Sequence, residues 1–383
     1  MTAKKIFGKI HLWLGLASGI IVVFLGITGC ILAFEKEIES VFYRHQYTEV
    51  QQKPYLPPSV IRAAADSALP GKHAHGISYR DPGYAAQVSY YNEEFYYIVY
   101  VNPYTAEVQK VKDMNADFFR VVIMGHFYLW LPPEIGQPIV ASATLIFVIL
   151  MITGLILWWP KSKAARKQRF SVKFNAKWRR VNYDLHNVLG FYMTWVAIFI
   201  ALTGLVWGFQ WFSKSVYWVT SGGKQAVEFY EPVIAKGEAG TTPALDVLWA
   251  KTTKENPQAK IIEVHVPSSD TTAIEVAINP DDDTYYSADY RYYDQYTLKE
   301  IPVKHLYGVY ADATVADKIA RMNYDIHVGA ILGLPGKIIA FCASLIAASL
   351  PVTGFVVWYG RRKKKKKSVS KPFLIPQTNL PIP

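Results

Sequence analysis

The chain has 383 residues, 51% of them hydrophobic, a formal net charge of +11 and two cysteines. Cys30 and Cys342 both fall inside apolar runs, so they read as packing residues, and a disulfide-stapled extracellular domain is excluded. The positive charge is concentrated in Lys4, Lys5 and Lys9, in Lys161–Arg180, and in Arg361–Lys367 with Lys371. These stretches carry no acid and the rest of the chain is net acidic, which excludes nucleic acid as a partner and fits the basic loops of a membrane protein.

The first apolar run, Ile10–Phe34, contains no Asp, Glu, Lys or Arg. As a helix it would extend ~37 Å, enough for a hydrocarbon core of ~30 Å. It exceeds the apolar core of a signal peptide and no small-x-small cleavage pattern follows, so it reads as a retained helix. Three further runs, Ile135–Pro160, Leu185–Ser213 and Ile338–Gly360, complete four predicted spans. The basic stretches put both termini and the 161–180 loop in the cytoplasm, with Trp158-Trp159 and Trp358-Tyr359 as interfacial belts. Two polar segments lie between spans. In the first, a helix is predicted over Pro58–Ala68, then tyrosine-rich strands ending in a hairpin across Ile98–Val108. In the second, a helix near Pro243–Glu255 precedes strands at Ile261–Val266, Ala273–Ile278 and Tyr285–Tyr293. The tyrosines read first as β-propensity rather than as a stacking surface for a ligand.

The two halves repeat. His11, Gly15, Thr28-Gly29 and Phe34 recur at one constant offset as His186, Gly190, Thr203-Gly204 and Phe209. The hairpin Tyr100–Thr105 recurs as Tyr292–Thr297, and Thr153-Gly154 as Thr353-Gly354. Arg120 and His126 precede Pro132-Pro133 as Arg321 and His327 precede Pro335-Gly336. In both places an amphipathic helix at the outer membrane surface is expected to stop at the proline. The predicted order is a cytoplasmic N-terminus and first span (1–34), an outer module (35–114), an interfacial helix and second span (115–160), and a basic cytoplasmic loop (161–184). A third span (185–213), a second outer module (214–312), an interfacial helix and fourth span (313–360), and a basic tail (361–383) follow. The fold class is an α-helical integral membrane protein of four transmembrane helices in two parallel repeats, each with an inserted small α+β module.

Two spans per half is an even number, so the halves share orientation about an axis along the membrane normal. His11 and His186 then share a depth near the cytoplasmic edge, and His126 and His327 one near the outer edge. Roughly a membrane thickness keeps the two sets apart, so ligand pairs cross between halves. Ionisable residues in spans are functional candidates. No Cys, Asp or Glu joins a pair within the spans, which disfavours zinc, whereas two imidazoles suit the axial positions of haem iron. Gly8, Gly15 and Gly19 share a helix face with His11, Gly190 lies near His186, and Gly329, Ala330 and Gly333 lie near His327; these small residues could admit a flat macrocycle, although such spacing also drives plain helix packing. Arg120 and Arg321 suit either haem propionates or phospholipid headgroups. His45, His73, His75, His265 and His305 have no repeat partner and read as surface residues, with His73-x-His75 as a metal possibility.

The Lys9-Ile10-His11 opening with Gly15, the Thr28-Gly29 end, the Tyr-x-Asn/Asp-x-x-Thr hairpins and the surroundings of Arg120/His126 and Arg321/His327 resemble PepSY-associated transmembrane proteins. These are also called iron-regulated membrane proteins and include inner-membrane ferric-siderophore reductases. The resemblance runs to about Arg362. It implies two periplasmic PepSY-like modules, two haem b groups with His11, His186, His126 and His327 as axial ligands, and a multi-pass protein of the bacterial inner membrane with both termini cytoplasmic. It further implies an oxidoreductase that passes electrons from a cytoplasmic or quinol donor to the iron of a ferric siderophore. Two other classes remain open from the residues: a haem-free protein whose outer modules bind or regulate a periplasmic partner, and a transporter, which the absence of mid-span acid disfavours.

Overall fold

The computed structural model describes residues 2–160, 162, 166 and 169–369, the side chains of 363–369 excepted. Lys161, Lys163 and Lys167 of the basic loop and the tail 370–383, with Lys371, lie outside the described residues. Among the described residues the α-helices are α1 (Ala3–Leu32), α2 (Glu35–Phe42), α3 (Pro58–Ala68), α4 (Phe118–Tyr128), α5 (Pro133–Trp158), α6 (Trp178–Gly208), α7 (Gln210–Thr220), α8 (Ala244–Glu255), α9 (Val315–Arg321), α10 (Asn323–His327) and α11 (Gly333–Val369). Among the described residues, four segments are long and apolar enough to cross a membrane: α1, α5, α6 and Ala330–Arg362. They are built inside out. Ile20, Trp195, Phe199 and Leu345 face outward, while Ser18, Thr28, Thr153, Thr194 and Ala197 are buried. In lipid there is no apolar gain from hiding large side chains, so small and hydroxyl residues take the helix contacts.

Several boundaries differ from expectation. α6 begins at Trp178, inside the predicted basic loop, and ends at Gly208; Phe209 is extended and α7 follows as a separate helix. α11 continues into the predicted tail. The helices carrying the outer histidines do not stop at proline. α4 ends on Leu129 and Trp130, both left-handed, and α10 gives way at the left-handed Gly329. Pro133 instead opens α5, and Pro335 lies in the first turn of α11, where a missing N–H costs nothing.

The chain divides into two units. The first holds Met1–Gly26, Ile146–Ile198 and Ala343–Pro383, and is made of portions of α1, α5, α6 and α11. The second holds Ile27–Leu145 and Phe199–Cys342, with the remaining portions of those helices and all the strands.

In the second unit the two outer segments form one sheet. Its strands are β1 (Gly76–Arg80), β2 (Ala86–Tyr91), β3 (Tyr96–Val101), β4 (Val108–Asp113), β5 (Ile261–His265), β6 (Ile274–Asn279), β7 (Asp289–Tyr293) and β8 (Glu300–Ile301). They are ordered β4-β3-β2-β1-β5-β6-β7-β8, all antiparallel. Expected as separate modules, the segments join edge to edge through β1 and β5, with Gly76 opposite His265 and Arg80 opposite Ile261. Each edge satisfies the other's backbone groups, which removes two exposed edges. One face buries Ile77, Val88, Val99, Val264 and Val276 against Ile61 and Ala65 of α3 and Leu248 of α8. Asp246 of α8 accepts from the Ser59 N–H and hydroxyl at 2.8 and 2.6 Å, capping the N-terminus of α3 from the other segment. The two hairpins share one geometry: Asn102 and Asp294 each accept from the N–H two residues on, and Ala106 and Leu298 sit at φ 60° and 56°.

Candidate functional site

His11 on α1 and His186 on α6 belong to the first unit. His11 Nδ1 lies 2.9 Å from the Thr153 hydroxyl, and His186 Nδ1 lies 3.0 Å from that of Thr353. Each hydroxyl has a second contact: Thr153 donates to the Ile149 carbonyl at 2.8 Å and Thr353 to the Ser349 carbonyl at 3.0 Å. A hydroxyl has one hydrogen, so with that hydrogen spent it accepts from the ring, and Nδ1 must carry the proton. The lone pair is then on Nε2, the tautomer a metal-ligating imidazole needs. The glycine after each threonine clears space for the ring. A Cβ at Gly154 would stand 3.4 Å from His11 Cε1, and one at Gly354 would stand 3.1 Å from His186 Cε1.

The second unit repeats the device. His126 Nδ1 is 2.7 Å from the Thr28 hydroxyl, and His327 Nδ1 is 3.0 Å from that of Thr203 and 2.9 Å from the Ile200 carbonyl. A carbonyl only accepts, so His327 too is protonated at Nδ1. A Cβ at Gly204 would come 3.3 Å from His327 Cε1. Gly329 is left-handed and packs directly on the Gly336 backbone.

The ring centroids of His11 and His186 are 6.4 Å apart, and those of His126 and His327 are 6.3 Å apart. Two imidazole–metal bonds of about 2.0 Å and two ring radii of about 1.1 Å together span about 6.2 Å. Both pairs therefore stand at the separation of a ligand–metal–ligand bridge. A cavity of about 460 Å³ adjoins His11 and His186, with Gly8, Gly15, Gly19 and Gly190 in its wall. That volume is ample for a cofactor. Trp158, expected at an interfacial belt, also lines it and is buried, stacked on Phe191 at 3.9 Å. The donor set and spacing fit a haem iron with two axial imidazoles. No cluster of three or more His, Cys, Asp or Glu able to hold a metal ion occurs among the described residues.

The two arginines are placed differently. Arg120 is partly buried with its guanidinium 5.4 Å from the Tyr96 ring. Arg321 is 8% exposed, donates to the carbonyls of Ala288 and Gly308, and lies over Tyr290 and Tyr310. Tyr43 and Tyr217 hydrogen-bond Asp117 and Asp317 at 2.8 Å, and these aspartates cap α4 and α9. Beside Asp117, burial pushes the Glu35 carboxyl up to about 7, helped by Glu39 and Asp117 and opposed by Lys112.

Among the unpaired histidines, His73 is exposed. His75 meets His265 across the β1–β5 seam at 3.3 Å and hydrogen-bonds Tyr91; burial, then the His265 charge, lowers its pKa to about 4. His305, expected at the surface, is buried among Phe229, Tyr230 and Tyr292. Cys30 is buried, but Cys342 is exposed rather than packed. The residues that composition alone did not assign are the four threonines. Their signal was present, since all four Thr-Gly dipeptides fall at matching places in the two halves.

Four helices long and apolar enough to cross a membrane, an antiparallel sheet and two pairs of histidines on different helices describe a polytopic membrane protein. The model of the PepSY-associated TM region family matches residues 9–361. The chain belongs to that family. Comparison with curated proteins gave no match.

Proposed function

We propose that this protein is a bacterial inner-membrane electron carrier that binds two haem b groups and reduces the iron of a ferric siderophore at the periplasmic side. What carries the reading is the ring spacing of 6.4 and 6.3 Å within histidine pairs whose Nδ1 atoms are all hydrogen-bonded to threonine. When bound, haem supplies one-electron redox chemistry between its ferric and ferrous states. The chain's part is to hold and tune. His11 and His186 supply one pair of Nε2 lone pairs, and His126 and His327 the other. Thr153, Thr353 and Thr203 keep those lone pairs available on His11, His186 and His327 by holding the Nδ1 proton, and Thr28 would do the same for His126. Arg120 would serve a propionate at the outer pair, while Arg321 braces the outer segment through its carbonyl contacts. Both termini and the 161–180 loop are assigned to the cytoplasm by their basic residues, and the sheet to the periplasm. The two halves are read as parallel repeats, supported by matched His–Thr partnerships.

The overall reaction is the transfer of one electron from a cytoplasmic or quinol donor to Fe(III), giving Fe(II), which oxygen-rich chelators hold less tightly because its charge density is lower. A polar chelate cannot enter hydrocarbon, so it must meet the protein at the outer surface. Purified protein should show a Soret band, sharp bands on reduction, and two low-spin haems per chain. The His11→Ala, His186→Ala double variant should keep one. His327→Ala should abolish anaerobic reoxidation by ferric siderophore while the inner pair still takes up haem. Absence of any haem spectrum would favour a haem-free protein that binds a periplasmic partner. Reoxidation of His327→Ala at the wild-type rate would place the exit of electrons elsewhere.

A further inference from the structure

The cavity beside His11 and His186 carries a charge that iron ligation does not require. Its wall includes Lys4, Arg169 and Arg361, and no Asp or Glu among the described residues. The three cations come from separate stretches: α1, the segment before α6, and the far part of α11. Arg361 is exposed, and Lys4 and Arg169 partly so, whereas the nearby Asp184 is buried and held by Arg180 at 2.9 Å. Arg169 is also fixed in place. Its carbonyl accepts from Trp158 Nε1 at 3.3 Å, and Trp158 is stacked on Phe191. Its guanidinium reaches Asn187 Oδ1 at 3.4 Å. Charges of one sign around a low-dielectric cavity concentrate the field on its contents, and guanidinium groups match oxyanions in geometry.

We propose that Lys4, Arg169 and Arg361 form an oxyanion clamp for the carboxylates of the macrocycle held by His11 and His186, with Arg169 as its positioned member. This assignment rests on the haem reading. It gives the inner pair an anion site distinct from Arg120 and Arg321. A phospholipid phosphate offers the same chemistry, so the test separates the two sources.

Full-length protein carrying His126→Ala and His327→Ala, in phosphatidylcholine nanodiscs, is titrated with haem and with haem dimethyl ester, followed by absorbance. Free-acid haem should bind about 100-fold tighter than the ester, the scale of two lost charge-assisted contacts at about tenfold each. Arg169→Gln and Arg361→Gln should each lose about tenfold for the free acid and nothing for the ester. Arg169→Lys should recover part of the loss, and circular dichroism checks that each variant is folded. Equal binding of acid and ester, or arginine variants with unchanged haem affinity, overturns the clamp. Variants that instead lose only their preference for phosphatidylglycerol nanodiscs reveal a lipid site, which also overturns it. Failure of the parent to bind haem in either form, together with a haem-free wild type, refutes the haem reading itself.

Discussion

Thr353→Val tests the central inference about the histidines. Valine keeps the shape of threonine and removes only the hydroxyl, which lies 3.0 Å from His186 Nδ1. Losing the net hydrogen bond costs about 0.5–1.5 kcal/mol, and leaving a buried donor unpaired costs about 1–3 kcal/mol. At about 1.4 kcal/mol per tenfold, that weakens ligation through Nε2 by about 10–100-fold. The assay is haem titration of the His126→Ala, His327→Ala background with and without the added substitution, reading affinity and the low-spin spectrum. Thr353→Ser should restore both, because serine returns the acceptor. If the valine variant binds haem within about twofold of its parent with an unchanged spectrum, the threonine does not set the tautomer, and the argument from hydroxyl bookkeeping is wrong.

Gly354→Ala should damage inner-pair binding more than Gly154→Ala, because its Cβ would stand 3.1 Å rather than 3.4 Å from the facing imidazole; equal titration curves would show that the rings can yield. A reporter active only in the cytoplasm should give signal when fused after Arg169 and none after Asp282, and the reverse would invert the topology. Glu35 binds its proton up to about pH 7 when folded but releases it near 4.5 when unfolded, so its contribution is complete below about 4.5 and is lost as pH rises through about 7. Glu35→Gln should flatten that slope and raise stability at pH 8 by at most about 3 kcal/mol, read by thermal unfolding in detergent. Asp246→Ala should lower stability by about 1–2 kcal/mol through loss of the α3 cap, with haem content unchanged.

Local chemistry was enough to identify the spans, α3, most strands and the four histidines. An apolar run long enough for lipid has one low-energy form, since its backbone must bond to itself. A constant offset between His11 and His186 likewise survives in sequence because both residues keep the same neighbours along the chain. What depended on tertiary structure was every partnership across long separations. The join of β1 to β5 left no mark in either strand, because a strand's own pattern says which face is buried and not which edge will pair. That join also brought His75 to His265, residues with no relation in the sequence repeat. The ends of α4 and α10 were decided by left-handed Leu129, Trp130 and Gly329 rather than by the prolines, which suit the starts of the next helices. Arg321 met the carbonyls of Ala288 and Gly308 only through the tertiary structure. The threonines acquired their role only when helix packing set each one against an imidazole, a contact that no spacing along a single helix encodes.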